Sequence, residues 1–183
     1  MLKFALLGFL KYGPHTGYEL KQTMDKSTGH FWRAKQSQIY TTLKKLEQDT
    51  LIISHSEPQE RRPDRRVYSI NPSGEKELQE WLLQPVTEID PTKQLFLLKL
   101  FFSGKLKKES ILTQLRMLRN LHEHQAKLYK IESPDFIDEI TAMQPALKPD
   151  ANLWEATRRF GEAFEKMYIK WLDETIAMID VKF

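Results

Sequence analysis

The sequence has 183 residues, of which 40% are hydrophobic and 29% charged, and its formal net charge is +3. This composition is typical of a soluble globular protein of one or two small domains, and the net charge is too small to identify a nucleic-acid binder by itself. There is no cysteine, which excludes a disulfide framework, a cysteine-ligated zinc site and a thiol nucleophile.

The chain opens with two predicted helices. Residues 2–12 are apolar on almost every side, which is typical of a buried helix, and Gly13-Pro14 ends it. A second helix is expected from Thr16, because Thr16 and Glu19 have the three-residue spacing of a capping box.

A third helix is predicted from about Ser37 to Gln48, with Ser37 as its N-cap. Its apolar residues are spaced four and then three apart, which predicts one buried stripe made of Ile39, Leu43 and Leu46. The residues expected on or beside the opposite face are Ser37, Gln38, Tyr40, Thr41, Lys44, Lys45 and Gln48.

After the third helix the pattern changes to short strands. Residues 51–55 and 67–70 are predicted to be two strands, and the polar segment 58–64 between them is predicted to be a turn. This region carries four arginines, Arg61, Arg62, Arg65 and Arg66. Asn71-Pro72 then predicts the start of another helix, with a capping asparagine and a proline at the first helical position.

The order of helix, helix, helix, strand, arginine-rich turn, strand and helix predicts a winged helix-turn-helix with a two-stranded wing over residues 1–84. The composition shifts between Pro85 and Pro91, and long helical patterns dominate after that point. We therefore expect a second, all-helical domain over residues 90–183. The predicted fold class is mainly α.

The second domain is predicted to begin with a very apolar helix. This helix runs from Thr92 to Ser103, with Asp90-Pro91 at its start, and must be covered by protein because nearly every side is apolar. A long helix over about residues 107–132, a short helix starting at Ser133-Pro134-Asp135 and a loop over residues 143–150 are expected to follow.

The last helix is predicted from about Asn152 to Ile179 and has two neighbouring apolar stripes. The first is Leu153, Phe160, Phe164, Met167, Trp171 and Met178, and the second is Trp154, Tyr168, Leu172 and Ile179. One partner helix would hardly cover both, so we expect packing within the domain and against a second copy of the chain. The residues assigned to that dimer interface are Leu95, Phe96, Leu98, Phe102, Phe164 and Trp171.

A helix-turn-helix places its second helix in the major groove of DNA, and a wing meets the backbone or the minor groove. Glutamine can bond adenine there, threonine can contact a thymine methyl, and lysine can reach guanine or phosphate. A solvated polar helix face and a solvated arginine hairpin are each common, but together and in this order they predict binding to double-stranded DNA. The residues predicted to contact DNA are Ser37, Gln38, Tyr40, Thr41, Lys44, Lys45, Arg61, Arg62, Arg65 and Arg66.

Four segments carry a resemblance to a known family. They are Gly17-Tyr18-Glu19-Leu20, Phe31-Trp32, the residues from Ser37 to Glu47, and the residues from Arg66 to Gly74. These segments resemble the PadR family, strongly over residues 2–83 and more loosely as far as Ile179. The layout is similar to the branch with a long helical C-terminal domain, which includes regulators of phenolic acid decarboxylase genes.

Two places depart from the family pattern. Thr41-Thr42 stands where many relatives carry a proline, and Asp49-Thr50-Leu51 lacks the usual glycine before the strand, which requires a different helix ending. The resemblance implies a homodimer joined by its C-terminal helices and acting mostly as a repressor. It also implies release of the operator when a small, often aromatic, ligand binds.

Catalysis is not expected from this sequence. His122 and His124 are two residues apart, which places them about 200° apart around a helix, so they cannot share a metal ion. Neither a glycine-rich phosphate loop nor a nucleophile elbow occurs. We expect a protein that is not an enzyme and that needs no metal or cofactor.

A site for the implied ligand can be suggested from the long helices. An aromatic-lined pocket with one arginine would suit a small aromatic carboxylate, and the candidate residues are Trp154, Arg158, His122 and Tyr168, with Arg119 nearby. The alternative is that Trp154 and Trp171 are ordinary residues of the core or the dimer interface.

Two other functions fit the same pattern. A winged helix can bind protein instead of DNA, because a fold does not determine function, and a drug-sensing regulator would share the fold and differ only in its pocket. No segment reaches the roughly 18 apolar residues of a membrane span, and the short apolar N-terminus lacks a small-residue cleavage site. We therefore expect a cytoplasmic protein that does not interact with membranes.

Overall fold

The computed structural model describes residues 1–29, 31–58, 64–88 and 93–182, apart from the side chains of residues 131–133 and 136. The chain divides into two compact units, Met1–Ile89 and Asp90–Phe183. It is mainly helical, as predicted, with one small antiparallel sheet in the first unit. Over the described residues, none of the helices combines the length and the hydropathy that crossing a bilayer requires.

The described residues of the first unit form four helices and three strands. They are α1 (Leu2–Lys11), β1 (His15–Thr16), α2 (Gly17–Ser27), α3 (Gln36–Gln48), β2 (Ile52–Glu57), β3 (Arg65–Ile70) and α4 (Pro72–Leu83). We call β2, β3 and the residues between them the wing. This order confirms the predicted winged helix-turn-helix.

The sheet contains one strand more than the predicted wing. β3 is the central strand, with β2 on one side and the two-residue strand β1 on the other. His15 lies opposite Tyr68 and Thr16 opposite Val67 in the β1–β3 pair, and Ser54 lies opposite Tyr68 in the β2–β3 pair. The short strand attaches the residues just before α2 to the wing.

Local capping explains where two helices begin. The Thr16 hydroxyl accepts the Glu19 backbone N–H at 3.2 Å and the Glu19 carboxylate accepts the Thr16 backbone N–H at 2.7 Å, which confirms the predicted capping box. Asn71 Oδ1 accepts the Gly74 N–H at 3.0 Å and caps α4, with Pro72 in its first turn, also as predicted.

The prediction that Ser37 caps α3 is wrong, because the helix already begins at Gln36 with Lys35 as the N-cap. The Gln38 side chain reaches back and accepts the Lys35 N–H at 2.8 Å, so that this donor is satisfied without a capping serine. Ser37 instead lies in the first turn, with its side chain exposed.

α3 ends without a glycine, as the sequence requires, and its ending is of a different kind. Thr50 takes the left-handed conformation in place of a glycine, with φ of 56°. The Leu51 N–H donates to the Leu46 carbonyl at 2.9 Å and the Asn71 side chain donates to the Thr50 carbonyl at 2.7 Å, so both groups near the turn are satisfied. A β-branched residue in this conformation costs on the order of 1–2 kcal/mol.

The core of the first unit holds α3 against α1 and α2. The predicted stripe of Ile39, Leu43 and Leu46 is almost completely buried, which confirms that prediction. It packs with other buried residues, among them Leu6, Leu7, Leu10, Leu20 and Met24. The remaining apolar side of α1 is only half-buried and is covered in part by α4, where Trp81 stacks on Phe4 with ring centroids 4.5 Å apart.

The second unit contains a short helix followed by two long helices. Its elements are α5 (Leu95–Phe101), a 3-10 helix (Ser103–Lys105), α6 (Lys108–Met143), a 3-10 helix (Pro145–Leu147) and α7 (Lys148–Lys182). Lys108 pairs with Asp180 and Arg119 with Asp173, so the sequence order of the contacts reverses and α6 and α7 run antiparallel.

Several predicted boundaries in this unit are wrong. α5 begins at Leu95 and ends at Phe101, before the expected Ser103, while the expected start at Thr92 and the expected cap at Asp90-Pro91 lie outside the described residues. α6 continues through Pro134 to Met143 where a separate helix was expected, and α7 begins at Lys148 inside the expected loop. An interior proline costs a helix about 3 kcal/mol, and α6 nevertheless continues past Pro134. The contacts with α7 include those of Lys108, Arg119, His122 and Tyr129.

The two predicted stripes of α7 have different surroundings. Tyr168, Leu172 and Ile179 are buried in a second core with Ile111, Leu112 and Leu115 of α6. Phe164 and Trp171 are partly buried against this core, as are Phe96 and Leu100 of α5. The other large side chains of the first stripe, Leu153, Phe160, Met167 and Met178, are exposed within the single chain.

Candidate nucleic-acid interface

The outer face of α3 is polar and open to solvent. Because Ile39, Leu43 and Leu46 turn inward, the helical period places the remaining side chains on the opposite side. The predicted contact residues found exposed on this helix are Ser37, Gln38, Tyr40, Thr41, Lys44 and Lys45. The structure therefore brings the whole predicted set from this helix to one surface.

Two side chains on this face have a second role in the fold. The Gln38 amide oxygen already accepts the Lys35 N–H, while its NH2 group donates to no acceptor among the described residues and is available to an outside partner. Tyr40 lies over Gly17 at the start of α2, where an added Cβ would be 2.6 Å from Tyr40 Cε1. Gly17 thus provides the space that the Tyr40 ring occupies.

The charged side chains of the surface fall into two groups. Lys44 and Lys45 are exposed and have no carboxylate within ion-pair distance among the described residues. The described arginines of the wing, by contrast, are both held by acids. Of the other predicted wing contacts, Arg61 and Arg62 lie outside the described residues.

Arg65 connects the wing to α2. Its Nε donates to Glu57 Oε2 at 2.6 Å, and its Nη1 lies 3.6 Å from Glu19 Oε1. The hydrogen bond from Arg65 is the main cause that lowers the pKa of the Glu57 carboxyl below its ordinary value. The pKa of Glu19 is also lowered, first by the Thr16 backbone N–H and to a lesser degree by Arg65.

Arg66 connects the wing to the last turn of α3. Its Nη2 lies 2.7 Å from both oxygens of Glu47, and its Nε donates to Ser54 Oγ at 2.8 Å. Ser54 Oγ in turn donates to Glu47 Oε1 at 2.6 Å. The hydrogen bond from Ser54, followed by that from Arg66, lowers the pKa of the Glu47 carboxyl. The Arg66 guanidinium also lies 5.6 Å from the centre of the Tyr68 ring.

A cleft of about 450 Å³ opens between the start of α2, α3 and the wing. It is lined by Thr16, Gly17, Tyr18, Glu19, Tyr40, Asp64, Arg65 and Arg66. Sequence reasoning missed Tyr18, which is exposed and whose hydroxyl accepts a hydrogen bond from Gln22 at 2.9 Å. The position of Tyr18 beside the capping box was the available signal.

The candidate ligand residues of the second unit are partly brought together. His122 stacks on Tyr168 with ring centroids 4.0 Å apart, and its Nδ1 lies 2.5 Å from Glu165 Oε2. Burial raises the pKa of the Tyr168 hydroxyl. Glu165 is a buried carboxylate that sequence reasoning missed, although its place three residues before Tyr168 puts it on the same side of α7.

Arg158 is surrounded by acceptors of its own chain. It bonds Glu155 at 2.6 and 2.9 Å, Glu162 at 3.1 Å and the Tyr129 carbonyl at 2.7 Å. The hydrogen bond to Glu155 is the main cause that raises the pKa of Arg158, and the same contact lowers the pKa of Glu155 to about 2. Half-buried Trp154 lies one turn before Arg158 on α7.

Arg119 is occupied in the same manner, by Asp173 at 2.5 and 3.3 Å and by Glu123 at 3.3 Å. A ligand carboxylate that binds either arginine therefore competes with carboxylates of the protein.

Known proteins resemble the chain over nearly its whole length. Residues 6–80 match the Transcriptional regulator PadR-like family, and residues 92–180 match the family described as Virulence activator alpha C-term. The Negative transcriptional regulator PadR of Bacillus subtilis is 32% identical over 184 residues, which cover 98% of this chain and 98% of that protein.

Solved structures of the same Bacillus subtilis protein are also similar. Its complex with operator DNA has a TM-score of 0.81 and 27% identity, covering 97% of each chain. Its complex with p-coumaric acid has a TM-score of 0.62 and 28% identity, covering 98% of each chain.

Proposed function

Because the chain belongs to the PadR-like family of transcriptional regulators, we propose that it is a cytoplasmic repressor that binds an inverted-repeat operator as a homodimer. Its relatives are regulators of transcription and not enzymes. The observation that carries the proposal is the exposed polar face of α3, with Lys44 and Lys45 unpaired among the described residues. A small aromatic effector is proposed to end repression.

In this proposal α3 is the recognition helix and enters the major groove. Lys44 and Lys45 reach guanine or phosphate, Thr41 contacts a thymine methyl, and Gln38 offers its NH2 group. Ser37 and Tyr40 contact the DNA beside them. The wing, through Arg61, Arg62, Arg65 and Arg66, lies against the flanking backbone. In a dimer the two recognition helices occupy successive major grooves about 34 Å apart.

The proposed dimer interface is formed by α5 and the outer stripe of α7. Leu95, Leu98 and Phe102 are more than half exposed in the single chain, a state that is unfavourable for large apolar side chains unless they meet a partner. The exposed α7 residues Leu153, Phe160, Met167 and Met178 extend the surface. Phe96, Phe164 and Trp171 lie at its border with the core of the same chain and support it from beneath.

The effector is proposed to be a small aromatic carboxylate, because a relative has been solved in complex with p-coumaric acid. We place its site along the seam of α6 and α7, near His122, Tyr168, Trp154 and Arg158. The stacked His122 and Tyr168 rings offer an aromatic wall, and Arg158 offers a guanidinium once Glu155 is displaced. The effector shifts the dimer to a non-binding geometry only if it binds that geometry more tightly.

The placement of the effector site can be tested with Trp154→Ala and Arg158→Ala. Both variants should still bind operator DNA but no longer release it when p-coumaric acid is added. An unchanged response in both variants would show that the effector binds elsewhere. A response to unrelated drugs and not to aromatic acids would favour a drug-sensing regulator.

The DNA-binding proposal is tested by selection from a pool of random duplexes at two salt concentrations, followed by sequencing. The wild-type protein should enrich an inverted repeat, Lys44→Ala should lose the enrichment, and Arg62→Ala should weaken it. Lys76→Ala, which removes an exposed lysine from α4, is the matched control and should behave as wild type. Weak binding that ignores salt and these substitutions would instead favour a protein-binding module.

A further inference from the structure

We propose that Glu47 is a positioning residue that, through Arg66 and Ser54, holds the wing at a fixed angle to α3 and thereby determines how well the protein discriminates its operator from other DNA. The inference rests on the proposed DNA-binding function. It concerns an acidic residue that would repel DNA if it acted only through its charge.

The geometry is a closed ring of three side chains from three elements. Glu47 belongs to the last turn of α3, Ser54 to β2 and Arg66 to β3, and each of the three bonds both of the others at 2.6 to 2.8 Å. Such a ring fixes more than one distance, because no member can turn away without breaking two contacts. The helix and both strands of the wing are therefore tied at one point.

The charge of Glu47 also requires an explanation. A carboxylate beside a surface that binds DNA repels phosphates, and the hydrogen bonds from Ser54 and Arg66, by lowering its pKa, keep Glu47 ionised near neutral pH. Because the charge of Glu47 offsets that of Arg66, the pair adds little net positive charge to the surface. None of the hydrogen bonds of Arg66 within the described part of the chain uses Nη1, which is left to meet a phosphate. The pair therefore affects DNA binding mainly by positioning the wing and less by attracting phosphates.

A second set of ion pairs connects the wing to α2, the other helix of the helix-turn-helix. Arg65 joins β3 to Glu57 of β2 and to Glu19 of α2. Together the two arginines attach the wing to both α2 and α3. Because Arg66 and Glu47 are partly exposed, with 54% and 30% of their side chains accessible, solvent weakens their ion pair. The effect expected from Glu47 is correspondingly moderate.

Operator binding and non-specific binding should respond in opposite directions to the loss of this tie. Operator binding needs α3 and the wing to dock together at a set spacing, and ordering a loose wing costs affinity. Non-specific binding depends mainly on net positive charge. Removal of Glu47 loosens the wing but frees the charge of Arg66, so operator affinity falls while affinity for other DNA rises.

The experiment compares Glu47→Ala with wild type and with Asp49→Asn. Asp49 is exposed, lies two residues further along the chain and makes no ion pair among the described residues, so its substitution removes the same charge without touching Arg66. Affinities for the selected operator and for a scrambled duplex of equal length are measured over a range of salt concentrations. Thermal unfolding of each variant checks that the fold is retained.

For Glu47→Ala we expect operator affinity to fall roughly three- to tenfold and scrambled-duplex affinity to rise about twofold. The slope of log affinity against log salt concentration for the scrambled duplex should steepen by up to about 0.9 for each freed arginine that gains a phosphate. Glu47→Asp should recover part of the discrimination. Asp49→Asn should raise both affinities slightly and leave their ratio unchanged.

An equal fall for both DNAs would show that Glu47 only stabilises the domain and would overturn the inference. So would a ratio of affinities in Glu47→Ala equal to that of wild type. A wild-type protein that selects no operator would overturn the proposed function itself, and the two failures are therefore distinguishable.

Discussion

Replacement of Lys44 by alanine is expected to lower the salt dependence of operator binding. Lys44 is exposed on the outer face of α3, and no carboxylate in the described ranges pairs with it. Its full charge is therefore available to displace a counterion from a DNA phosphate. In the proposed dimer, one substitution removes two such charges.

The magnitude follows from counterion release. Each phosphate contact contributes about 0.9 to the slope of log affinity against log salt concentration, so the slope of a dimer should become shallower by about 1.8. Between about 50 and about 200 mM salt, the variant should lose roughly tenfold less affinity than wild type. Arg66→Ala should change the slope less, because Glu47 already compensates the charge of that arginine.

The assay is titration of a labelled operator duplex, followed by fluorescence anisotropy at several salt concentrations. Lys76→Ala serves as the control, since it removes a lysine that lies on α4 and pairs only loosely with Glu80, at 3.9 Å. If Lys44→Ala kept the wild-type slope while Arg66→Ala made it shallower by about two, the reasoning from ion pairing would be refuted.

Three further substitutions test other features of the chain. Thr50→Gly should stabilise the first unit by about 1 kcal/mol in urea denaturation, because glycine adopts the positive φ of this position without strain. Gly17→Ala should weaken operator binding by pushing Tyr40 aside, while the free energy of unfolding changes by less than about 1 kcal/mol, since the ring is half-exposed and can move. The pKa of Glu155 is lowered to about 2, chiefly by Arg158, so its contribution to stability is complete above its ordinary pKa of 4.5 and is lost as the pH falls towards 2. Glu155→Gln should therefore flatten the fall in stability over this range by about 1 kcal/mol, after allowance for solvent screening at a side chain that is 32% exposed.

Each of these three predictions can be contradicted by a specific result. A less stable Thr50→Gly protein would mean that the turn is not strained. A Gly17→Ala protein that binds the operator as tightly as wild type would remove Tyr40 from the interface. An unchanged acid profile in Glu155→Gln would mean that the ion pairs of Arg158 do not contribute to stability.

The winged-helix unit was predictable because most of its boundaries have local causes. The capping box at Thr16, the Asn71-Pro72 start and the stripe of Ile39, Leu43 and Leu46 each depend on residues a few positions apart. The strand β1 was not predictable, because two residues show no alternation and its pairing with β3 is a tertiary contact. The start of α3 was not predictable either, because the Gln38 side chain, and not the expected serine cap, accepts the backbone N–H at the start of the helix.

The second unit was less predictable because its prolines do not have the positions in the helices that the local pattern indicates. A proline in the sequence indicates a helix end, but α6 passes through Pro134. Pro149 lies in the first turn of α7, where the missing N–H costs nothing, so the expected loop shortens to one 3-10 turn.

The outer face of α3 was predictable as a set, since the buried stripe of a helix determines the face opposite to it. The ion pairing of that surface was not. Glu47 is 19 residues from Arg66 and Glu57 is 8 residues from Arg65, and no sequence pattern indicates which cation meets which acid across a hairpin. In the second unit, the acids around Arg158 are close in sequence, but its bond to the Tyr129 carbonyl depends on the pairing of two long helices.

The position of the second core has a consequence for biosynthesis. Ile111, Leu112 and Leu115 lie near the start of α6, and their partners Leu172 and Ile179 lie near the end of α7. A ribosome makes α6 before α7, so the part of its apolar side that α7 covers stays exposed until nearly the whole of α7 has been synthesised. Among the described side chains near the turn between the helices, Tyr129 and Ala151 are the buried apolar ones, so early pairing of these residues gains little. The second unit should therefore mature late, and we expect nascent chains that stall within α7 to be bound by chaperones.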